Sequence, residues 1–298
     1  MNNTGRMKIG IISAGKVGSV LGAALRSKGH EIIGAYASSE ASLDRLELLL
    51  PGVPALPVTE IAQRAELVLL AVPDDELPGL VSGLAKLNIW KPSRIVVHTA
   101  GRFGTEVLEP AAGAGAMCLA IHPAMTFTGT SLDLVRLQGC PFAVTAAGIM
   151  QTVGRALVGE MGGEPYLIDN ADRETYHAAL THGANYLVTL VTQARRMLES
   201  IGMEDPGQYL RPLLEAALEG ALSSGDALLT GPIVRGDKNT VAGHLSVIKD
   251  PDILRVYRAL GTATANRARD RKVLPAPIAR ELRLLLHSGD DESENNPQ

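Results

Sequence analysis

Two hydrophobic periods alternate along the first half of the chain. Short β-branched runs, MKIGIIS, EIIGAYA, ELVLLAVP from Glu66, RIVVHTAG from Arg94, AMCLAIHP from Ala116 and PFAVTA from Pro141, are separated by stretches of helical spacing. That alternation is the signature of a parallel sheet joined by crossover helices. Val17, Val20, Leu21, Ala24 and Leu25 recur at helical intervals after the first run, and Gly29 stands where a helix ends on a left-handed residue. After EPYLID, which ends at Asp169, the strand-like runs stop. One helical pattern then lasts close to 30 residues, from 172 to about 200, or about 45 Å as a single helix. Further helices are predicted near 211–223, 240–247 and 251–271, with a last one before the tail. The pattern therefore predicts an α/β fold: a doubly wound parallel sheet over 1–169, an all-helical domain over 170–287, and a polar tail over 288–298 expected to be disordered.

Composition narrows the function classes. With 46% hydrophobic and 20% charged residues in 298, the chain reads as an ordinary globular protein of two domains. No apolar run approaches the roughly 18 residues needed to cross a bilayer, so no membrane partner is expected. The opening MNNTGRMKIG has no apolar signal region, and a cytoplasmic location is expected. The formal charge of -4 is concentrated in the tail, at Asp290, Asp291, Glu292 and Glu294, and no basic stripe points to nucleic acid. Cys118 and Cys140 form no CxxC pair, which leaves no disulfide framework and no zinc spacing; buried thiols are expected. The histidines show no HxxxH spacing with a third carboxylate, so no metal is expected, and no GxSxG nucleophile turn occurs.

The stretch GIISAGKVGSVLG, from Gly10, follows a strand and opens a helix. A dinucleotide turn needs a first glycine for the tight bend, a second for backbone approach to the pyrophosphate and a third for helix–strand packing. Ser13 takes the first place, while Gly15 and Gly18 keep the others; Ser13, Ala14, Gly15, Lys16, Val17 and Gly18 are the predicted cradle. Strand two ends on Tyr36-Ala37-Ser38-Ser39, without the carboxylate that holds the ribose hydroxyls of NAD. NADP(H) is therefore the expected cofactor, with Ser38 and Ser39 as phosphate donors and Arg45 or Arg26 as the cation in reach; the alternative is a solvent-exposed serine turn. Two more strand ends fall beside the cofactor, carrying Ala71, Val72, Pro73, His98 and Thr99.

The N-terminal half resembles the Rossmann domain of β-hydroxyacid dehydrogenases and pyrroline-5-carboxylate reductases. From Met7 to about His287 the chain resembles Rossmann-like proteins with an uncharacterised helical domain of the 6-phosphogluconate dehydrogenase kind, most specifically in HPAMTFTG, YHAALTHGANYLVTL and TGPIVRGDKNTVAGHL. The resemblance implies an NADP-dependent reductase, a homodimer built through the helical domain, and a substrate between the domains. Ketopantoate reductase and hydroxyisobutyrate dehydrogenase place a lysine four residues before an asparagine on the first long helix of the second domain. Asn185 matches the asparagine, but position 181 is a threonine.

Attention therefore turns to histidine, whose ordinary pKa suits proton delivery near neutral pH. His182, Asn185, Thr189 and Gln193 fall on one polar line of the long helix, facing either substrate or interhelical partners. His122, at a strand end before Pro123, is a donor, a polariser or a structural cap, and the turn after it is expected to aim Met125, Thr126 and Phe127 over the nicotinamide. Asp237, with Thr240 three residues on, reads as an N-cap; with Arg235 the same helix start also reads as a carboxylate site. The leading function is an NADPH-dependent reductase of a small carboxylated 2-oxo acid, ketopantoate-like, with catalytic His182, His122 and Asn185 and substrate-binding Arg235, Asp237, Thr240 and Thr126. The alternatives are an imine reductase of the pyrroline-5-carboxylate reductase type and a non-catalytic NADP-binding sensor.

Overall fold

A computed structural model describes residues 6–288. The acidic tail expected to be disordered lies, beyond Ser288, outside the described residues. By packing, the chain separates into a first unit that ends at Tyr186 and a second that begins at Leu187.

The first unit is built in the order β1 (Lys8–Ile12), α1 (Lys16–Ser27), β2 (Glu31–Tyr36), α2 (Glu40–Leu49), α3 (Val58–Arg64), β3 (Leu67–Leu70), α4 (Leu77–Lys86), β4 (Ile95–His98), α5 (Glu109–Ala112), β5 (Met117–Pro123), α6 (Leu132–Arg136), β6 (Pro141–Thr145), α7 (Met150–Glu160), β7 (Glu164–Leu167) and α8 (Arg173–Leu180). Every apolar run read as a strand is one. The seven strands lie in the order β2-β1-β3-β4-β5-β6-β7. All neighbours are parallel except β5 and β6, which run antiparallel. One face packs Ile9, Ile11, Leu67, Leu69, Leu119 and Phe142 into a core with α1 and α7, and the other packs Val68, Leu70 and Val96 with α4. Strands covered on both faces must be apolar throughout, which is why these runs do not alternate. Gly29 follows the end of α1 with φ +92°, as the left-handed exit requires.

The boundary falls later than residue 169. Arg173, on the first turn of α8, is fully buried and donates from Nη2 to the Ala120 and Ala143 carbonyls of β5 and β6, so α8 belongs to the sheet. After α8 the chain passes through a π turn, Thr181–Asn185, into α9 (Tyr186–Ser200). The stretch read as one regular helix is therefore interrupted. A π turn closes i to i+5 bonds, so the polar line through His182, Asn185, Thr189 and Gln193 loses its regular period at Asn185.

The second unit holds most of α9, then α10 (Pro206–Ser224), α11 (Lys238–Val247), α12 (Pro251–Asp270) and α13 (Ala276–His287). Its core is Ile233, Val241, Ala265, Ala268, Leu274, Ala279, Leu282 and Leu286, from α11, α12, α13 and the turns before them.

Candidate active site

At the carboxyl end of β1 the chain turns through Ser13 at φ +84°, in the left-handed region that favours glycine. Holding a serine there costs about 1–2 kcal/mol. The turn is kept by Ala14, buried, whose N–H donates to the Tyr36 carbonyl at 2.7 Å. Gly15 caps α1 without a side-chain bond, and no acidic residue stands in the first turn, so the leading amides of α1 are left for an anion. A Cβ built on Gly15 would meet only the Ser13 hydroxyl, at 3.3 Å, which leaves the backbone open to a ligand. On Gly18 a Cβ would overlap the Ser13 carbonyl oxygen and come 3.1 Å from Ala71 Cβ. Lys16 is exposed, whereas Val17 packs against the core. These features fit a dinucleotide pyrophosphate.

The structure separates the candidates for the ribose end. Ser39 is committed to the capping box of α2: it accepts from the Ser42 amide, and the Ser42 hydroxyl accepts from the Ser39 amide at 2.9 Å. Ser38 is exposed and is the hydroxyl that remains. Arg26 donates to the Pro51 carbonyl at 2.9 Å, away from the turn. Arg45 reaches the turn, with Nη1 3.5 Å from the Ala14 carbonyl, and both Arg45 and Lys16 lie against Gly129. Gly129 sits in a hydroxyl-rich loop, Thr128 to Ser131, clasped by buried Asp133. That carboxylate accepts from the Thr128 amide at 2.8 Å, the Gly129 amide at 2.7 Å and the Thr128 hydroxyl at 2.9 Å. Burial pushes the Asp133 pKa up, but the bonds from Gly129, Thr128 and Thr130 outweigh it and hold the carboxyl below its ordinary value.

Beyond β3 and β4, Ala71, Val72 and Thr99 are half-buried and Pro73 is exposed, all beside the turn: the Ala71 amide bonds to the Ile12 carbonyl and the Thr99 amide to the Leu70 carbonyl. His98 does not face a ligand. Its Nδ1 accepts from the Ala100 amide at 3.2 Å and its Nε2 donates to the Gly104 carbonyl at 2.7 Å, so the buried ring braces the loop after β4. Burial, with Arg173 nearby, takes its pKa down to about 4.

A second polar cluster stands at the end of β5. His122 Nδ1 and the Tyr176 hydroxyl are 2.8 Å apart, and the two rings meet edge to face at 5.6 Å. The His177 ring lies 6.0 Å from that of His122. Gly101 makes room for both, since a Cβ there would stand 3.0 Å from His122 Nε2 and 3.1 Å from His177 Nε2. His122 is pushed down to about 4, by burial first and then by the charges of Arg173, His177 and His98, so its imidazole is neutral at pH 7. Thr126 is exposed past this strand, but Met125 and Phe127 turn into the core instead of over a ligand, because the apolar face under α1 takes them. His182 and Asn185 lie exposed in the π turn, and the ring neighbour of His182 is Tyr186, at 5.8 Å, not His122.

In the second unit, Asp237 caps α11: it accepts from the Thr240 amide at 3.0 Å and the Thr240 hydroxyl at 2.6 Å. Those bonds, and the Arg235 charge, hold its carboxyl below the ordinary value. The helix start read as a carboxylate site is thus filled by the chain's own carboxylate, and Arg235 alone, exposed, remains for a substrate anion. A cleft of about 490 Å³ lies among α9, α11 and α12, lined chiefly by apolar side chains such as Leu190, Met197, Ile253 and Leu260. At its edge His244 Nδ1 and the Tyr257 hydroxyl are 2.8 Å apart. Among the described residues no cluster of His, Cys, Asp and Glu is arranged to hold a metal ion.

Residues 2–123 match the Rossmann-like domain, and residues 140–264 match a domain of unknown function, DUF2520. The chain joins a Rossmann-like domain to a DUF2520 domain. Among curated proteins none matches the sequence. Solved structures share the fold at low identity. A Bacteroides fragilis protein assigned as an NADP oxidoreductase is 23% identical, with a TM-score of 0.74 over 87% of this chain and 98% of its own. A Thermotoga maritima protein is 18% identical, with a TM-score of 0.64 over 89% and 99%. An imine reductase from Myxococcus stipitatus in complex with NADP+ is 17% identical, with a TM-score of 0.60 over 88% and 93%.

The Rossmann-like match ends at Pro123, where the sheet changes direction, and the DUF2520 match opens at Cys140 with the antiparallel β6. The DUF2520 region thus contributes β6, β7 and α8 to the sheet unit. Tyr176, His177 and Arg173 stand on its α8, and sequence reasoning gave Arg173 and Tyr176 no role. The signal available was the spacing of Arg173, Tyr176 and His177 at i, i+3 and i+4, one face of a helix turn.

Proposed function

We propose that this Rossmann-like/DUF2520 protein is an NADPH-dependent oxidoreductase that reduces the carbonyl of a small carboxylated 2-oxo acid, ketopantoate-like in size. One observation carries the reading: the dinucleotide turn and the His122–Tyr176 pair share a sheet edge. β1, β3, β4 and β5 are parallel neighbours, so the turn after β1 and the pair at the end of β5 lie at the same, carboxyl end of the sheet, where open α/β sheets bind ligands. When bound, the cofactor supplies a hydride. The amides of α1 hold its pyrophosphate, and Arg45, Lys16 and Ser38 receive the 2′-phosphate, with no carboxylate at the end of β2 to repel it. The fold shared with an NADP+-bound imine reductase supports the same cofactor class.

Arg45→Ala lowers NADPH affinity about 10- to 100-fold, the worth of one charge-assisted contact, and leaves NADH affinity unchanged. Calorimetry on both nucleotides checks this; an equal loss for both contradicts the 2′-phosphate assignment.

An imine substrate, of the pyrroline-5-carboxylate reductase type, is the second reading, supported by the fold shared with an imine reductase. Following NADPH oxidation over a panel of 2-oxo acids and cyclic imines separates the two. Turnover of 2-oxo acids supports the first, turnover confined to imines selects the second, and tight NADPH binding without turnover selects a sensor. The two cysteines are free thiols, which fits a reducing cytoplasm. No described helix is long and apolar enough to cross a membrane.

The protein acts as a homodimer in this reading. α9 buries none of its side chains, and α10 exposes Tyr209, Leu213, Leu218 and Leu222 around its circumference. Large apolar side chains exposed together on a helix mark a surface that is covered in use, and a second copy supplies the same surface in return. Light scattering is expected to give twice the 31.4 kDa chain mass, with Leu213→Glu shifting it to the monomer; a wild-type monomer contradicts the dimer.

A further inference from the structure

Arg173 is a buried cation with no carboxylate bonded to it. Its side chain is fully inaccessible, Nε donates to the Thr145 hydroxyl at 2.8 Å, and Nη2 donates to the Ala120 and Ala143 carbonyls at 3.0 and 3.2 Å. Nη1 has no partner, the bonds of the guanidinium go to a hydroxyl and two carbonyls, and the Glu106 carboxylate supports it only through its charge. All of its acceptors are neutral. A buried charge with no bonded counter-ion is costly, so its position suits a negative group that appears during use. The guanidinium carbon lies 5.9 Å from the centre of the Tyr176 ring, and the Tyr176 hydroxyl is bonded to His122.

We propose that Tyr176 delivers the proton of the reduction and that Arg173 is the fixed charge that stabilises its phenolate. The inference rests on the reductase reading above. As hydride reaches the carbonyl carbon, the π pair moves onto oxygen, the Tyr176 O–H bond breaks, and its proton forms the new O–H bond. The electron pair stays on the phenol oxygen. His122, carrying its proton on Nδ1, passes that proton to the phenolate while a solvent proton adds at Nε2. The imidazole is therefore neutral before and after.

The electrostatics agree with this division of labour. His122, at about 4, carries no spare proton at pH 7. Burial pushes the Tyr176 phenol up to about 12, with Arg173 pulling it down and Cys140 pushing it up, so the donor keeps its proton through the neutral range. A substrate alkoxide is more basic than a phenolate, which makes the transfer downhill. The groups that face the pair are Arg173 and His177 from α8, His98 from β4, Cys140 before β6, and Glu106 from the turn before α5, which acts on Arg173. Burial lowers Arg173 to about 10, so it remains charged at neutral pH.

Four variants test the assignment in the full chain. Tyr176→Phe is expected to lower kcat about 10²- to 10⁴-fold while KM and NADPH affinity stay within about threefold. A fluorotyrosine incorporated at position 176, with a more acidic phenol, is expected to move the alkaline limb of the kcat profile to lower pH. Its ¹⁹F resonance also reads the phenol ionisation without any cofactor, and Arg173→Met is expected to move that ionisation to higher pH, while Arg173→Lys keeps it near wild type. If Arg173→Met does not fold, Tyr176→Phe and the fluorotyrosine profile decide alone. Wild-type kcat in Tyr176→Phe, or a phenol titration unmoved by Arg173→Met, overturns the proposal. A wild-type protein that binds NADPH but reduces no carbonyl or imine overturns the reductase reading itself, and the ¹⁹F titration then shows separately whether Arg173 and Tyr176 are coupled.

Discussion

Gly18→Val is expected to abolish NADPH binding and to destabilise the sheet unit by about 3 kcal/mol, the range of severe single substitutions. Any Cβ at this position overlaps the Ser13 carbonyl, and Ile11 Cγ2 and Ala71 Cβ, both at 3.1 Å, close the directions in which it could move. The obstructing atom is backbone in a turn already strained at Ser13, so relief requires α1 to withdraw from β1. That withdrawal takes the leading amides of α1 away from the phosphates. Calorimetry and thermal melting read the two effects. Wild-type NADPH affinity in a folded Gly18→Val protein contradicts the account of the turn.

Asp133→Ala is expected to cost about 2 kcal/mol, because it strands the buried Gly129 amide, worth about 1–3 kcal/mol when unsatisfied, and removes the bonds to the Thr128 amide and hydroxyl. Its pH dependence has a definite sign. The folded pKa of Asp133 lies below the unfolded one, so its contribution is complete above the unfolded value near 4 and is lost as pH falls through the lower folded value. Denaturant melts should therefore show a constant gap between wild type and Asp133→Ala from neutral pH to about 5, narrowing below about 4. A gap that widens with acid contradicts the assignment. The same loop carries Gly129 against Lys16 and Arg45, so the substitution should also weaken NADPH binding.

The sheet was legible because each strand is buried on both faces and must be apolar along its length; ELVLLAVP and AMCLAIHP could hardly be anything else. The direction of β6 was not, since an apolar run has no polarity of its own. The boundary escaped for a related reason: the helical period continues through Thr181–Asn185, and only the burial of Arg173 beneath the sheet shows that α8 belongs with the strands. For the site, the cofactor turn could be read because its residues are contiguous. Its serine conceals nothing in sequence except the backbone angle it must accept. The His122–Tyr176 pair joins residues 54 apart, and no local pattern announces such a meeting. Asp237 and Thr240 illustrate the opposite case, where a cap and an anion site share one spelling and the side-chain bonds choose the cap. His98 was misplaced because a strand-end histidine can point either way, and here two backbone groups claim it.

The central claim, that the serine-containing turn holds NADPH, is tested most directly by calorimetric titration of nucleotide-stripped protein with NADPH and with NADH. Micromolar binding of NADPH with NADH at least tenfold weaker, a gap of about 1.4 kcal/mol, is the predicted result. Equal affinities would contradict the roles of Arg45, Lys16 and Ser38, and no binding of either nucleotide would contradict the functional account as a whole.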